Sequence, residues 1–196
     1  MCTAKAAIVG TMRHELFECC LVKQTFSFDF AQNHALKIVR KNAEALIGCG
    51  IHHEGEAINE VIKILPQIQQ FALKYTSFIN EDQSTTSLDG NQVESNVNFR
   101  ADTVFAVEES LVSSELGLKG FVDVTVEVIT TEKADSHPLR SLMSIELKTG
   151  HNQNTQHAHT AQLSLYTLSL RSQVRESFKS LLFFTNPVYF YFGYCD

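Results

Sequence analysis

Two stretches of strict alternation, at residues 119–130 and about 140–149, constrain the fold of this chain more than any other feature. In the first, Val122, Val124, Val126 and Val128 alternate with Asp123, Thr125 and Glu127; in the second, Met143, Ile145 and Leu147 alternate with Ser144, Glu146 and Lys148. Side chains on a strand point to opposite faces with a period of two, so each stretch predicts a strand with one apolar and one polar face. Residues 131–138 predict a turn between them, making an antiparallel hairpin whose polar faces coincide. Such a hairpin brings Asp123 close to Glu146 and Lys148.

The residues before the hairpin follow a helical period. Residues 11–23 predict a helix opening near Thr11, with Leu16, Phe17, Cys20 and Leu21 on its apolar stripe. Residues 31–48 predict a second helix closed by Gly48 and Gly50. Residues 55–78 space Ile58, Val61, Ile62, Leu65, Ile68, Ala72 and Tyr75 as a third, kinked or divided by Pro66. The polar stretch 80–98 is expected to be a surface loop or insertion, followed by a strand over 102–112. After the hairpin, a helix over 154–172 carries Gln162 and Tyr166 at i and i+4, on one side. The end, 180–196, is strand-like and aromatic, with Tyr189, Phe190, Tyr191, Phe192 and Tyr194.

At 196 residues, with 44% apolar and 19% charged, the chain suits one domain with a proper core. No run approaches the roughly 18 apolar residues of a membrane span, and the start lacks the apolar segment of a signal peptide, so an intracellular protein is expected. The net charge of −6 argues against a large basic nucleic-acid surface, but not against a metal-dependent nuclease, whose carboxylates stay negative until cations fill them. Five cysteines (Cys2, Cys19, Cys20, Cys49, Cys195), without a C-x-x-C spacing, argue against a zinc module or a disulfide framework.

Taken singly, a strand aspartate, a Glu-x-Lys and a Gln-x-x-x-Tyr are common on solvated surfaces. In strand–strand–helix order they form a set that phosphodiester hydrolysis can use. Asp123 and Glu146 suit a hard divalent cation, with the Leu147 carbonyl as a further ligand, and Lys148 could hold the attacking water or neutralise the phosphate. His14 on the first helix joins this set if that helix folds back on the hairpin.

The strings that carry a family resemblance are Ile8-Val9-Gly10-Thr11-Met12-Arg13-His14-Glu15-Leu16-Phe17, Gly117-Leu118-Lys119-Gly120 through Asp123, and Glu146-Leu147-Lys148-Thr149-Gly150 with His159, Gln162 and Tyr166. They span most of residues 8–170. The chain resembles the RecB-type nuclease domain of the eukaryotic DNA replication ATP-dependent helicase/nuclease family, within the broad PD-(D/E)XK superfamily. The resemblance implies a restriction-endonuclease-like α/β core, with a central mixed sheet flanked by helices and preceded by a helical half. It implies one partial nuclease domain over 1–196: a helical part (8–79), the loop (80–98), a catalytic core (99–172) and an atypical tail (173–196).

For function, the resemblance implies a magnesium- or manganese-dependent endonuclease acting on single-stranded DNA or 5′ flaps in replication and repair. Positions matching His14, Asp123 and Glu146 bind the metal, Lys148 is catalytic, and His159, Gln162 and Tyr166 support the site or the DNA strand. Single-strand-binding and replication proteins are the implied partners, and the nucleus, with the mitochondrion as a second site, the implied location. The family's 4Fe–4S cluster finds no identifiable ligands here, because Cys2 lies too close to His14 and Cys195 stands alone. No phosphate-binding G-x-x-x-x-G-K-[ST] of a helicase motor occurs. The sequence therefore reads as a fragment or a mispredicted gene product. A catalytically silent DNA-binding or packing fragment is the alternative, and a stand-alone RecB-like exonuclease a third reading.

Overall fold

The first helix begins well before the capping signal at Thr11. In the computed structural model, which describes residues 3–77, 99–115, 117–130, 139–150, 156–174, 179–185 and 188–194, helix α1 runs Thr3–Lys23. Ala4, Lys5, Ala6 and Ala7 are strong helix formers and carry the helix back past Thr11. The Thr11 hydroxyl donates to the Ala7 carbonyl at 3.2 Å, as a threonine inside a helix can. One stripe of α1 (Val9, Met12, Leu16, Phe17, Cys20, Leu21) is buried.

Ser27 caps α2 (Phe28–Lys41), its hydroxyl accepting the Phe30 N–H at 3.3 Å. The single helix expected over 31–48 is divided at Asn42, and α3 (Ala43–Gly48) follows. Asn42 accounts for the break: its backbone and side-chain amides both donate to the Ile38 carbonyl, at 3.1 and 2.8 Å, which closes α2. The stretch 55–78 is divided too, into α4 (Glu54–Ile62) and α5 (Leu65–Tyr75). Pro66 lies in the first turn of α5, where its missing N–H costs nothing. Arg13 donates two bonds to the Glu60 carbonyl, at 2.9 and 3.1 Å, tying α1 to the last turn of α4.

Five strands form one mixed sheet, in the order β1 (Phe99–Ser113), β2 (Leu118–Thr130), β3 (Leu139–Lys148), β4 (Lys179–Thr185), β5 (Val188–Tyr194). The β1–β2, β2–β3 and β4–β5 pairs are antiparallel and β3–β4 is parallel. Parallel neighbours need a crossover, which α6 (Gln156–Val174) supplies. The hairpin register pairs Val124 with Ile145 and Val126 with Met143.

Each face of the sheet has its own cover. The helical half packs on Val124, Val126, Val128, Met143, Ile145, Leu147, Leu181 and Phe183. At its centre Phe71 stacks on Phe183, ring centroids 5.1 Å apart, and meets Phe17 edge-on at 5.6 Å. On the other face α6 sets Leu163 against Leu182, and Thr167 bonds to Ser180, whose hydroxyl accepts from Ser144 at 2.8 Å.

Three expectations are corrected. The face of β3 bearing Ser144 and Glu146, read as polar, is buried, because α6 lies over it. Val122 does not share the packing of the other three valines. It joins Leu111 and Leu170 beneath α6, while Val124, Val126 and Val128 join the helical core. The change falls where β2 leaves β3 and where Glu108 of β1 adopts a left-handed φ of 49°. Finally, 173–196 is no appendage: it supplies β4 and β5, and Leu181, Leu182 and Phe183 are fully buried. The stretches 80–98 and 131–138 lie outside the described residues, as do Cys2, Cys195 and the side chains of the aromatic run 189–194. Among the described residues no helix is long and apolar enough to cross a membrane.

Candidate active site

Beyond Val124 and Ile145 the two hairpin strands part, and the polar side chains that the sequence singles out meet in the fork. Asp123 lies on the β2 side. Its Oδ2 accepts the Leu147 N–H at 2.7 Å and faces His14 Nδ1 at 3.3 Å. Leu147 thus orients Asp123 through its backbone amide, in addition to the carbonyl role expected of it. His14 reaches the fork because α1 runs close to the end of β3. One turn earlier, a Cβ on Gly10 would sit 3.2 Å from Thr149 Oγ1, a tight contact that glycine avoids.

On the β3 side, Glu146 is 4% exposed, and its Oε1 accepts from Lys148 Nζ at 2.6 Å and from Gln162 Nε2 at 3.1 Å. Gln162 Oε1 accepts a second Lys148 bond at 3.1 Å, and Gln162 Nε2 also donates to the Tyr166 hydroxyl at 2.8 Å. Asp123, Glu146, Lys148, Gln162, Tyr166 and His14 therefore form one contiguous cluster. His159 lies near enough that Lys148, after burial, holds its imidazole below the ordinary value.

The cluster carries more negative charge than it neutralises. Burial first, and then Asp123, pushes the Glu146 carboxyl above the ordinary range, against the opposing pull of Lys148 and His14. Glu146 Oε2 is buried with no hydrogen-bond partner. An orphaned carboxylate oxygen beside a second carboxylate is the donor set a divalent cation satisfies, so the residues fit such an ion. No group of three or more His, Cys, Asp or Glu side chains among the described residues is gathered closely enough to hold a metal unaided. Glu146 Oε1 is turned to Lys148 and Asp123 Oδ2 to Leu147 and His14, which leaves Glu146 Oε2 as the unpartnered oxygen of the pair's engaged carboxylates.

A second acid pair, Glu18 and Glu108, escaped the sequence reading. Glu18 follows His14 by one helical turn, a spacing that marks it as a neighbour. Glu108 sits between the register pairs Val107–Val124 and Glu109–Val122, opposite Asp123, and no sequence signal marks it. Both line a cleft of ≈ 640 Å³ with Gly10, Thr11, His14, Glu15, Lys41 and Thr149. Burial, Glu108 and Asp123 together push the Glu18 carboxyl up to about 8, from 4.5. Folding therefore binds a proton at Glu18, and the stability this group contributes is lost as pH rises through that window. Glu18→Gln is expected to match wild type at pH 4 and to gain about 1–2 kcal/mol by pH 9, the range allowing for its part exposure. Thermal melts across that range check it, and a gain that does not grow with pH would refute the raised Glu18 carboxyl.

Fold and site together define an α/β protein with a histidine–carboxylate–lysine centre in the fork of two strands. A family model described as "Dna2: DNA replication factor Dna2" matches residues 2–128, and the chain belongs to that family. It is similar to the DNA replication ATP-dependent helicase/nuclease JHS1 of Arabidopsis thaliana, at 28% identity over 84% of this chain and 12% of that protein. The mouse protein DNA2 of the same description is 29% identical over 82% of this chain and 15% of its own length. The dna2 protein of Schizosaccharomyces pombe is 30% identical over 84% and 11%. The chain thus spans 11–15% of the length of these relatives.

Proposed function

We propose that this chain carries the nuclease activity of a DNA replication helicase/nuclease: a metal-dependent endonuclease that cuts single-stranded DNA, including 5′ flaps. The carrying observation is Glu146, nearly fully buried, with one oxygen held by Lys148 and Gln162 and the other unpartnered beside Asp123 and His14. The relatives, DNA replication helicase/nucleases, support the same reading. In this reading the core is of the RecB-type, restriction-endonuclease-like kind within the PD-(D/E)XK superfamily.

His14, Asp123, Glu146 and the Leu147 carbonyl would hold Mg²⁺ or Mn²⁺, the imidazole favouring manganese. When bound, the cation supplies Lewis acidity at the phosphoryl group and makes water a stronger nucleophile at neutral pH. Lys148 offsets charge developing on the phosphate while the bond to the leaving oxygen breaks. Gln162 keeps Lys148 and Glu146 in register, and Tyr166 and His159 face the strand being cut. Replication and single-strand-binding proteins are the partners this reading implies, with action in the nucleus and the mitochondrion. A 4Fe–4S cluster would draw its ligands from outside the described residues, whose cysteines Cys19, Cys20 and Cys49 are free and one short of four ligands.

The competing reading is a catalytically silent DNA-binding or packing role. The Lys148–Glu146 pair favours it, since the site partly neutralises itself. A cleavage assay on end-labelled single-stranded and flap DNA separates the two. The nuclease reading expects cutting with Mg²⁺ or Mn²⁺, none with a chelator, and a loss of about 10²–10³-fold in Asp123→Ala. No cutting by wild type, or undiminished cutting by a folded Asp123→Ala, would favour the silent role.

A further inference from the structure

Gly120 has no conformational reason to be a glycine. Among the described glycines only Gly50 and Gly117 have positive φ, so the Gly120 backbone accepts any residue. Its surroundings do not. A Cβ there would lie 2.5 Å from Tyr166 Cε1, 3.2 Å from Cζ and 3.3 Å from the hydroxyl, whereas one at Gly10, Gly48, Gly50, Gly55, Gly117 or Gly150 would meet no atom below 3.0 Å. The ring cannot retreat inward, because it already packs on Leu111, Val122 and Leu170.

We propose that Gly120 is a positioning residue for the Glu146–Lys148 centre, acting as the seat of the Tyr166 ring. The proposal rests on the nuclease reading above. The direction of each hydrogen bond shows how the seat is felt at the site. Lys148 can only donate, so Gln162 must present Oε1 to it; Glu146 accepts, so Gln162 must present Nε2 there. That leaves the Tyr166 hydroxyl as acceptor of the second Nε2 proton. Tyr166 thereby locks the Gln162 amide, and the amide, bonded to both Lys148 and Glu146, fixes the geometry of that pair. Displacing the ring unlocks Gln162, and the Lys148–Glu146 pair then loses the amide that fixes where its ammonium and carboxylate point. The phenolic proton, not used by Gln162, is left to donate to an acceptor on a bound ligand.

The test uses the full chain carrying Gly120→Ala, Gln162→Ala or both. Single-turnover cleavage of single-stranded DNA by Gly120→Ala is expected to fall about 100-fold in rate, as for a misplacement near 1 Å, with binding of the strand unchanged. In the Gln162→Ala background, Gly120→Ala is expected to add nothing. Independently of activity, the Gln162 side-chain amide in a ¹⁵N spectrum is expected to move to the position of solvent-exposed glutamines in Gly120→Ala. Unchanged amide signals, or additive losses in the double variant, would overturn the proposal. So would a moved amide with undiminished cutting. An inactive wild type would overturn the nuclease reading alone, because the amide signal still decides whether Gly120 seats the network. If Gly120→Ala does not fold, adding Tyr166→Leu removes the ring and is expected to restore folding; persistent misfolding would refute the seat.

Discussion

Lys148→Ala is expected to lower cleavage of single-stranded DNA by about 10²–10³-fold, the loss seen when one group that offsets transition-state charge is removed. Two effects combine. In the nuclease reading the phosphate loses a neighbouring cation, and Glu146 loses the 2.6 Å bond that opposes the upward push of burial and Asp123 on its carboxyl. With that pull gone the carboxyl rises further, so residual activity is expected to climb with pH more steeply than in wild type. The same logic sets the sign for stability. A carboxyl raised in the folded state stabilises below its unfolded value and loses that contribution as pH rises, so the variant is expected to melt closest to wild type under acid conditions. Rates and melts across pH check both parts. A folded Lys148→Ala that cuts like wild type would remove the lysine from the mechanism.

Phe183→Ala is expected to cost about 3–5 kcal/mol, the usual range for a buried aromatic truncated in a core. Phe183 is fully buried, stacked on Phe71 and tilted against Phe17, so its removal opens a cavity shared by α1, α5 and β4. Against a typical total of about 5–15 kcal/mol, that loss is large. Denaturant unfolding is the measurement, and a loss below about 1 kcal/mol would mean that β4 contributes little to the core.

The hairpin was legible because its alternation is strict and its register follows from it: a slip of one residue would turn every valine outward. The grouping of Asp123, Glu146, Lys148, Gln162 and Tyr166 was legible for the same reason, each lying at a fixed offset on a strand or helix. Helix ends were less so. Ser27 and Asn42 act through single local hydrogen bonds that many serines and asparagines could make, and α1 outran its apparent cap through alanine propensity alone. The burial of Ser144 could not be read from β3, because it depends on where α6 comes to rest. Glu18 and Glu108 were missed because their meeting is a tertiary event, set by the path of α1 over the fork. The role of β4 was hidden by its aromatic neighbours, which read as a tail although Leu181, Leu182 and Phe183 are among the most buried residues of the chain.

The strand order has a consequence for how the protein comes into being. β3, which bears Glu146 and Lys148, is paired on one side by β2 and on the other by β4, made some thirty residues later, with Glu146 opposite Leu182 and Lys148 opposite Phe184. During synthesis the chain emerges from its N-terminus, so the helical half and the β1–β3 meander are available first, while the parallel pairing must wait for α6 and β4. Non-local parallel pairing is also the slowest kind to form. Until it does, β3 is an open edge that other chains can pair with, and Lys148 lacks the Thr185 hydroxyl that bonds its carbonyl. The centre at Glu146 and Lys148 is therefore completed late, and until then the nascent chain passes through a window in which it can aggregate.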